Sequence, residues 1–182
     1  SMGVTYRYYN NDVNDRAELT EHGVELRWRQ ETQENGSYEI QVDGLSSDGY
    51  NRLQEPDGQR IQVRQNNFVI NTELQLDSDL FNYRSVAPRL VTDSYRLRLP
   101  STILQGMGNR IYSDDTAFFL NFGEIGKYQG VAAKAYEATE GSLQGVGLQH
   151  RLNNQWDLAA QFWNTQDSEF TESHQSFAGA LH

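Results

Sequence analysis

The most regular feature of the chain is an alternation of apolar and polar residues with a period of two. The apolar residues of Val24–Trp28, Tyr38–Val42, Ile61–Val63 and Phe118–Phe122 lie at every second position, and the positions between them are mostly polar or charged. Successive side chains of a β-strand point to opposite faces of the sheet, so each segment predicts a strand that is apolar on one face. This one-sided pattern is typical of antiparallel sheets.

The second half of the chain predicts a complete hairpin. Apolar residues alternate over Val146–Leu152, the polar residues Asn153–Gln155 follow, and the alternation returns over Trp156–Phe162. Two alternating runs joined by a short polar stretch favour two antiparallel strands and a tight turn. A further strand is predicted from Phe177 to Leu181.

Four other segments carry weaker signals. The alternation over Phe68–Leu76 predicts one long strand, and Tyr95–Leu99 predicts a shorter one. The polar residues Asp77–Asp79 are interpreted as a turn. The segment Asp12–Glu21 is compatible with one or two turns of helix.

These elements predict an all-β protein with an antiparallel sheet of about ten to twelve strands, which forms either a β-barrel or a two-sheet β-sandwich. No linker or repeat divides residues 1–182, so we expect one all-β unit. We also expect this unit to be a fragment of a longer envelope protein. The hydrophobic share of 37% is below the roughly 45–50% of an average globular domain. Both a thin soluble sandwich and a membrane barrel explain such a low share, because barrel strands are apolar on one face only.

Charge and residue usage narrow the class of protein. The net charge is −10 and the arginines form no compact basic run, so nucleic acid is not an expected partner. The arginines alternate with acids, which predicts a strand face of crossed ion pairs. The chain has no cysteine and hence no disulfide or thiolate site. No apolar run reaches 18 residues, so a membrane is not expected to be crossed by helices, and a β-barrel is the route of membrane contact that stays open.

Candidate chemistry is sparse, and no catalytic residue, cofactor or strong metal site is predicted. Asp12, Asn14 and Asp15 form a weak calcium candidate, because Ca²⁺ prefers oxygen ligands, but the EF-hand spacing is absent. Glu137 and Glu140 are the first carboxylate pair that a glycan-active enzyme could use.

Four aromatic residues are candidates for ligand binding or for a membrane interface: Trp28, Trp156, Trp163 and Tyr136. Tryptophan stacks on sugar rings, and it also lies at the headgroup level of membrane barrels. Trp28 and Trp156 share a face with apolar neighbours and are expected in a core. Trp163 lies on the opposite face and is expected to be the exposed one.

Several runs resemble strands of fimbrial-usher-type outer-membrane proteins of Gram-negative bacteria. The similarity covers about residues 94–166 and rests on Ser94–Thr102 with Leu104–Gly106, on Gly123–Gly126, on Glu140–Leu148 and on Trp156–Trp163. Gly23–Gly44 carries a fainter similarity. The resemblance implies a β-barrel pore that exports pilus subunits delivered by a periplasmic chaperone, with no enzyme activity and no cofactor.

Three functions therefore stay open. The first is a non-enzymatic part of an outer-membrane or cell-surface protein, usher-like or porin-like, with pilus subunits and their chaperone as partners. The second is a soluble β-sandwich that binds a surface glycan or a protein. The third is a glycan-active enzyme on a jelly-roll scaffold. All three are expected in the bacterial cell envelope, at the outer membrane, the surface or the periplasm.

Overall fold

The chain folds into ten β-strands and one short helix in a computed structural model. The structure describes residues 1–13, 17–33, 35–50, 57–93, 102–166 and 173–181. The elements in chain order are β1 Met2–Val13, β2 Ala17–Thr32, β3 Gly36–Tyr50, β4 Gly58–Val69, β5 Gln75–Arg84, α1 Arg89–Asp93, β6 Ile103–Tyr112, β7 Thr116–Gln129, β8 Ala135–Asn153, β9 Trp156–Gln166 and β10 Ser173–Leu181.

All ten strands belong to one antiparallel sheet, and its order is the order of the chain from β1 to β10. Each strand pairs with its neighbour in sequence, as where Val24 lies opposite Gly44 and Leu120 opposite Val146. In the described residues β1 and β10 pair on one side only, so the sheet is open. The prediction of an all-β antiparallel fold is confirmed.

The connections differ in length at the two ends of the sheet. At one end, the connections β2–β3, β4–β5, β6–β7 and β8–β9 contain two to five residues. We call this the short-turn end. At the other end, the five connections contain 3 to 18 residues, and the longest, between β5 and β6, includes α1. We call this the long-connection end.

Two segments lie across one face of the sheet and form its core. The first is 85–93, which packs Val91 against Ala159 of β9. The backbone N–H of Val86 in this segment donates to Asn121 Oδ1 of β7, and Asn121 Nδ2 donates to the carbonyl of Val86. The second is the tip of the β7–β8 hairpin, which packs on β2 and β3. Where the structure describes the side chains, the buried ones therefore lie on one face of the sheet.

Three local predictions are wrong. Phe68–Leu76 is not one strand, because Asn71 Oδ1 accepts hydrogen bonds from the backbone of Glu73 and Leu74 and closes a turn. Asp77–Asp79 lies inside β5, where its acids face arginines of adjacent strands. The described parts of Asp12–Glu21 are strand, since β1 pairs there with β2. The predicted strand Tyr95–Leu99 lies outside the described residues.

Candidate functional site

One face of the sheet is apolar and open to solvent. On neighbouring strands its residues form continuous rows, such as the row from Trp28 through Ile40 and Val63 to Leu80, Met107 and Phe122. The side chains are well exposed, with 44% for Leu120, 52% for Val146 and 60% for Phe122. No second sheet covers this apolar face in the described part of the chain. Soluble monomers seldom expose a patch of this kind.

The opposite face is charged, and its ion pairs run from strand to strand. Arg7 contacts Glu25, and Arg27 lies between Glu25 and Glu39 at distances of 3.4–3.5 Å. Further ion pairs cross the sheet between Arg60 and Asp43 at 2.6 Å, Arg64 and Asp79 at 2.9 Å, and Arg110 and Asp77 at 3.7 Å. The predicted face of crossed ion pairs is confirmed.

The charged face also holds the most buried ionic contact. The side chains of Asp43 and Arg60 are only 2% and 14% exposed, and Gln41 donates a further hydrogen bond to the Asp43 carboxylate. Arg60 in addition stacks its guanidinium over the ring of Tyr128, 5.3 Å from the centroid. Charged groups at this depth require such partners, because burial without them is costly.

Two pairs of polar side chains on the apolar face are hydrogen-bonded to each other, whereas Asn164 Oδ1 on the same face has no hydrogen-bond partner. Ser78 Oγ donates to Asn109 Oδ1 at 2.7 Å, and Gln65 Nε2 donates to the Tyr38 hydroxyl at 3.0 Å. These pairs leave fewer hydrogen-bonding groups that need water. The apolar face is therefore compatible with an environment that offers no hydrogen bonds.

The three tryptophans occupy the reverse of the predicted environments. Trp28 and Trp156 are 36% and 47% exposed, whereas Trp163 is 4% exposed. The prediction was wrong because it equated the apolar face with the core. Trp163 lies instead on the charged face, where its ring packs on Gly145 and joins Tyr83, Leu104 and Leu143 in a buried cluster. Trp163 is therefore not a surface platform for a sugar ring.

Tyr136, the fourth aromatic candidate, lies in the β7–β8 hairpin and has a structural contact. Its hydroxyl donates to the carbonyl of Glu124 at 3.1 Å, and its ring covers Gly126. The structure does not bring Tyr136 into contact with any of the three tryptophans. Trp28 and Trp156 lie close to the short-turn end, Trp28 four residues before β2 ends and Trp156 at the start of β9.

A polar cleft of about 570 Å³ opens on the charged face towards the short-turn end. Asp77, Asp79 and Arg110 contribute from β5 and β6, and Arg151 and Asp157 contribute from the β8–β9 hairpin. The charged side chains named here form ion pairs, Asp77 with Arg110, Asp157 with Arg151 and Asp79 with Arg64. The cleft is therefore a solvent-accessible, ion-paired surface. Among its lining residues Thr116 has its hydroxyl 2.9 Å from Nδ1 of His150, and Thr116 stands in phase with Phe118 of the apolar face.

The metal and carboxylate candidates receive no geometric support. The described residues contain no group of three metal-ligating side chains. Asn14 and Asp15 of the calcium candidate lie outside the described residues, as does the side chain of Asp12. Glu137 forms an ion pair with Lys127 at 3.1 Å, and the side chain of Glu140 is outside the described part.

Comparison with known proteins gives no relative. No protein-family model matches the chain, and neither a curated protein nor a solved structure matches it. None of the helices described is long and apolar enough to cross a membrane. The arrangement of the two faces is therefore the main basis for a function.

Sequence reasoning missed Glu21. Its carboxylate is buried on the charged face and accepts hydrogen bonds from the backbone of Val131 and Ala132. One local signal existed, because Glu21 stands in an alternating strand in phase with Glu25. The partner is 110 positions away, and no sequence pattern indicates that contact.

Proposed function

We propose that the chain forms part of the wall of an outer-membrane β-barrel, with its apolar face against lipid and its charged face towards the interior. The observation that carries the proposal is the inversion of the two faces. Apolar side chains are exposed across the sheet, and ionic side chains are buried or paired on the other face. Transmembrane barrels have this distribution, with an outward apolar band and a polar interior.

The strand lengths support the same assignment. A tilted transmembrane strand needs about 9–11 residues, and the described strands contain 9–19 residues. Hydrogen bonds between strands satisfy the backbone groups, which is a strict requirement in lipid. The proposal therefore also requires that the outer edges of β1 and β10 be paired in the assembled wall.

The unequal connections support an orientation. Outer-membrane barrels have short periplasmic turns and longer extracellular loops. By this rule the short-turn end faces the periplasm and the long-connection end faces outwards. Trp28 and Trp156 then lie near the periplasmic interface, where amphipathic aromatic rings are enriched.

The resemblance to fimbrial ushers makes a conduit for pilus subunits, delivered by a periplasmic chaperone, the specific role that we propose. A porin-like channel for small solutes is the less specific form of the same function. In both forms the chain binds and conducts and does not catalyse. The paired charges of the interior face suit a water-filled passage, because they present a polar wall without a strongly cationic or anionic excess.

Lipid quenching of tryptophan fluorescence tests the proposal directly. Three single-tryptophan variants, in which the other two tryptophans are replaced by phenylalanine, are reconstituted in vesicles of phosphatidylcholine brominated on the acyl chains. We expect strong quenching of Trp28 and Trp156, because their rings lie on the apolar face. Trp163 is the matched control and should be quenched little, because it is buried on the charged face.

A soluble β-sandwich that binds a glycan or a protein is the second candidate, and the exposed rings of Trp28 and Trp156 favour it. This candidate predicts a chain that is monodisperse without detergent, with no bromolipid quenching at either position. That result would refute the lipid-facing wall. A glycan-array signal lost in Trp156→Ala would then support sugar binding.

The third hypothesis, a glycan-active enzyme on a jelly-roll scaffold, is not supported by the strand order. The observed order is a meander, whereas a jelly roll has Greek-key order.

A further inference from the structure

We propose that the β7–β8 hairpin is a strap across the charged face, and that the Glu21 carboxylate is the latch that holds it closed. The strap consists of residues 125–138, which lie beyond an irregular point of the β7–β8 pairing. Release of the latch moves the strap off β2–β4 and widens the passage along the charged face. This last step rests on the proposed function, whereas the latch itself does not.

The latch is a single carboxylate with two backbone donors. Glu21 is 1% exposed, and its Oε2 accepts hydrogen bonds from the amide of Val131 at 2.6 Å and from the amide of Ala132 at 2.8 Å. In the described residues no cation pairs with Glu21. Hydrogen bonds to a charged acceptor are stronger than neutral ones, and loss of the acceptor leaves the buried amide of Ala132 and the partly buried amide of Val131 without a partner.

The strap also fits the surface beneath it. Ala132, Ala133 and Ala135 pack against Leu45 of β3. Gly23 of β2 lies directly under the tip, since a Cβ there would stand 2.6 Å from the carbonyl carbon of Ala132. The contact is made of small side chains and one glycine, so it contributes close approach but little apolar area. Glu21 thus attaches the tip at Val131 and Ala132, and the guanidinium of Arg60 over the Tyr128 ring attaches the β7 side of the strap to β4.

The pairing of β7 with β8 contains a joint at which the strap can turn. Glu124 pairs with Ser142, and Gly126 pairs with Ala138, so Ile125 alone stands opposite residues 139–141. Gly126 has no side chain, and Gly141 has a φ of 141°, which only glycine adopts without strain. Bulges of this kind bend a strand and re-aim the segment beyond them. The strap is therefore connected to the sheet by a bent, glycine-containing joint.

The absence of native cysteine allows a direct test. Ala135, a residue of the strap whose side chain is 2% exposed because it faces Leu45 of β3, is replaced by cysteine, and its alkylation by a water-soluble maleimide is timed in detergent. We expect Glu21→Ala to raise the alkylation rate at least tenfold, and Glu21→Gln to raise it less, because the amide oxygen can still accept. Glu25→Ala is the matched control, since Glu25 lies on the same face of β2 but pairs with Arg7 and Arg27.

Two further measurements separate the possible outcomes. Ala159→Cys, buried under segment 85–93, reports general unfolding and should keep its alkylation rate in Glu21→Ala. Leakage of a small dye from reconstituted vesicles reports the passage and should increase in Glu21→Ala. An unchanged rate at Ala135→Cys overturns the latch, and a parallel rise at Ala159→Cys does so too. Faster alkylation at Ala135→Cys without added leakage keeps the latch and overturns its role in the passage.

Discussion

The two faces of the same ten strands differ in what stabilises them. On the charged face Asp43 and Arg60 are buried and depend on each other, whereas on the apolar face Leu120 and Phe122 are exposed and contact no second layer. The backbone hydrogen bonds are shared by both faces, so the difference arises from the side chains alone. In this sheet a side chain is buried where segment 85–93 or the tip of the β7–β8 hairpin covers it, whether that side chain is apolar or charged.

The largest effect is expected from breaking the buried ion pair of the charged face. Asp43→Ala leaves the guanidinium of Arg60 without its carboxylate while Arg60 stays largely buried. Removal of one partner of such a pair costs about 3–5 kcal/mol. Urea unfolding of the protein in its folding environment, lipid or detergent, measures this loss.

The control for Asp43→Ala is Glu31→Ala, which removes the acid of the exposed pair Arg29–Glu31. Exposed pairs of this kind contribute less than about 1 kcal/mol. If the two substitutions cost the same, the charged face is as well hydrated as the surface, and the difference in burial between the two pairs has no energetic meaning.

A slightly smaller effect is expected from placing a charge on the apolar face. Leu120→Arg adds a guanidinium in the middle of β7, where the neighbours across the sheet are Val146 and Asn109. In lipid the expected cost is about 2–4 kcal/mol at mid-depth. In water an exposed leucine can be replaced for less than about 0.5 kcal/mol. The change in the free energy of unfolding in vesicles therefore shows whether lipid or water surrounds the apolar face.

Leu152→Arg is the matched control for Leu120→Arg, because Leu152 is also exposed but lies one residue before the end of β8. A position close to the interface should cost about 0–1 kcal/mol. If Leu120→Arg and Leu152→Arg lowered the free energy of unfolding equally, the result would argue against a bilayer, because only a bilayer makes this loss depend on depth.

The alternation of the sequence predicted the antiparallel class and most of the strands, but it did not predict β1, β5 or β6. The turn between β8 and β9 lies at the predicted position because Asn153 accepts hydrogen bonds from the backbone of Gln155 and Trp156. The strand β8 itself begins at Ala135, eleven residues before the predicted start at Val146. The ion pairs were also predictable, because residues of like phase on adjacent strands face each other. These features depend on neighbours in the chain or on adjacent strands.

The features that sequence reasoning could not supply depend on contacts between distant segments. Alternation distinguishes two faces but does not say which is covered, so Trp163 was assigned to the wrong environment. Alternation also passes unbroken through Asn71, where the side chain rather than the period ends the strand. The hydrogen bond between Glu21 and Val131 joins β2 to the β7–β8 hairpin. These residues are 110 positions apart in the chain, so no local sequence pattern predicts the contact.

The smallest expected effect compares one glycine on each face. Gly145→Ala on the charged face places a Cβ 2.7 Å from Cδ1 of the buried Trp163 ring, so the ring must move. Such overpacking costs about 1–3 kcal/mol. Gly44→Ala on the apolar face meets no atom within 4 Å and should be neutral or slightly stabilising. Unfolding free energies and the emission maximum of Trp163 measure both. A neutral Gly145→Ala would mean that the charged face is loosely packed, and that only its ion pairs, segment 85–93 and the tip of the β7–β8 hairpin distinguish it from the apolar face.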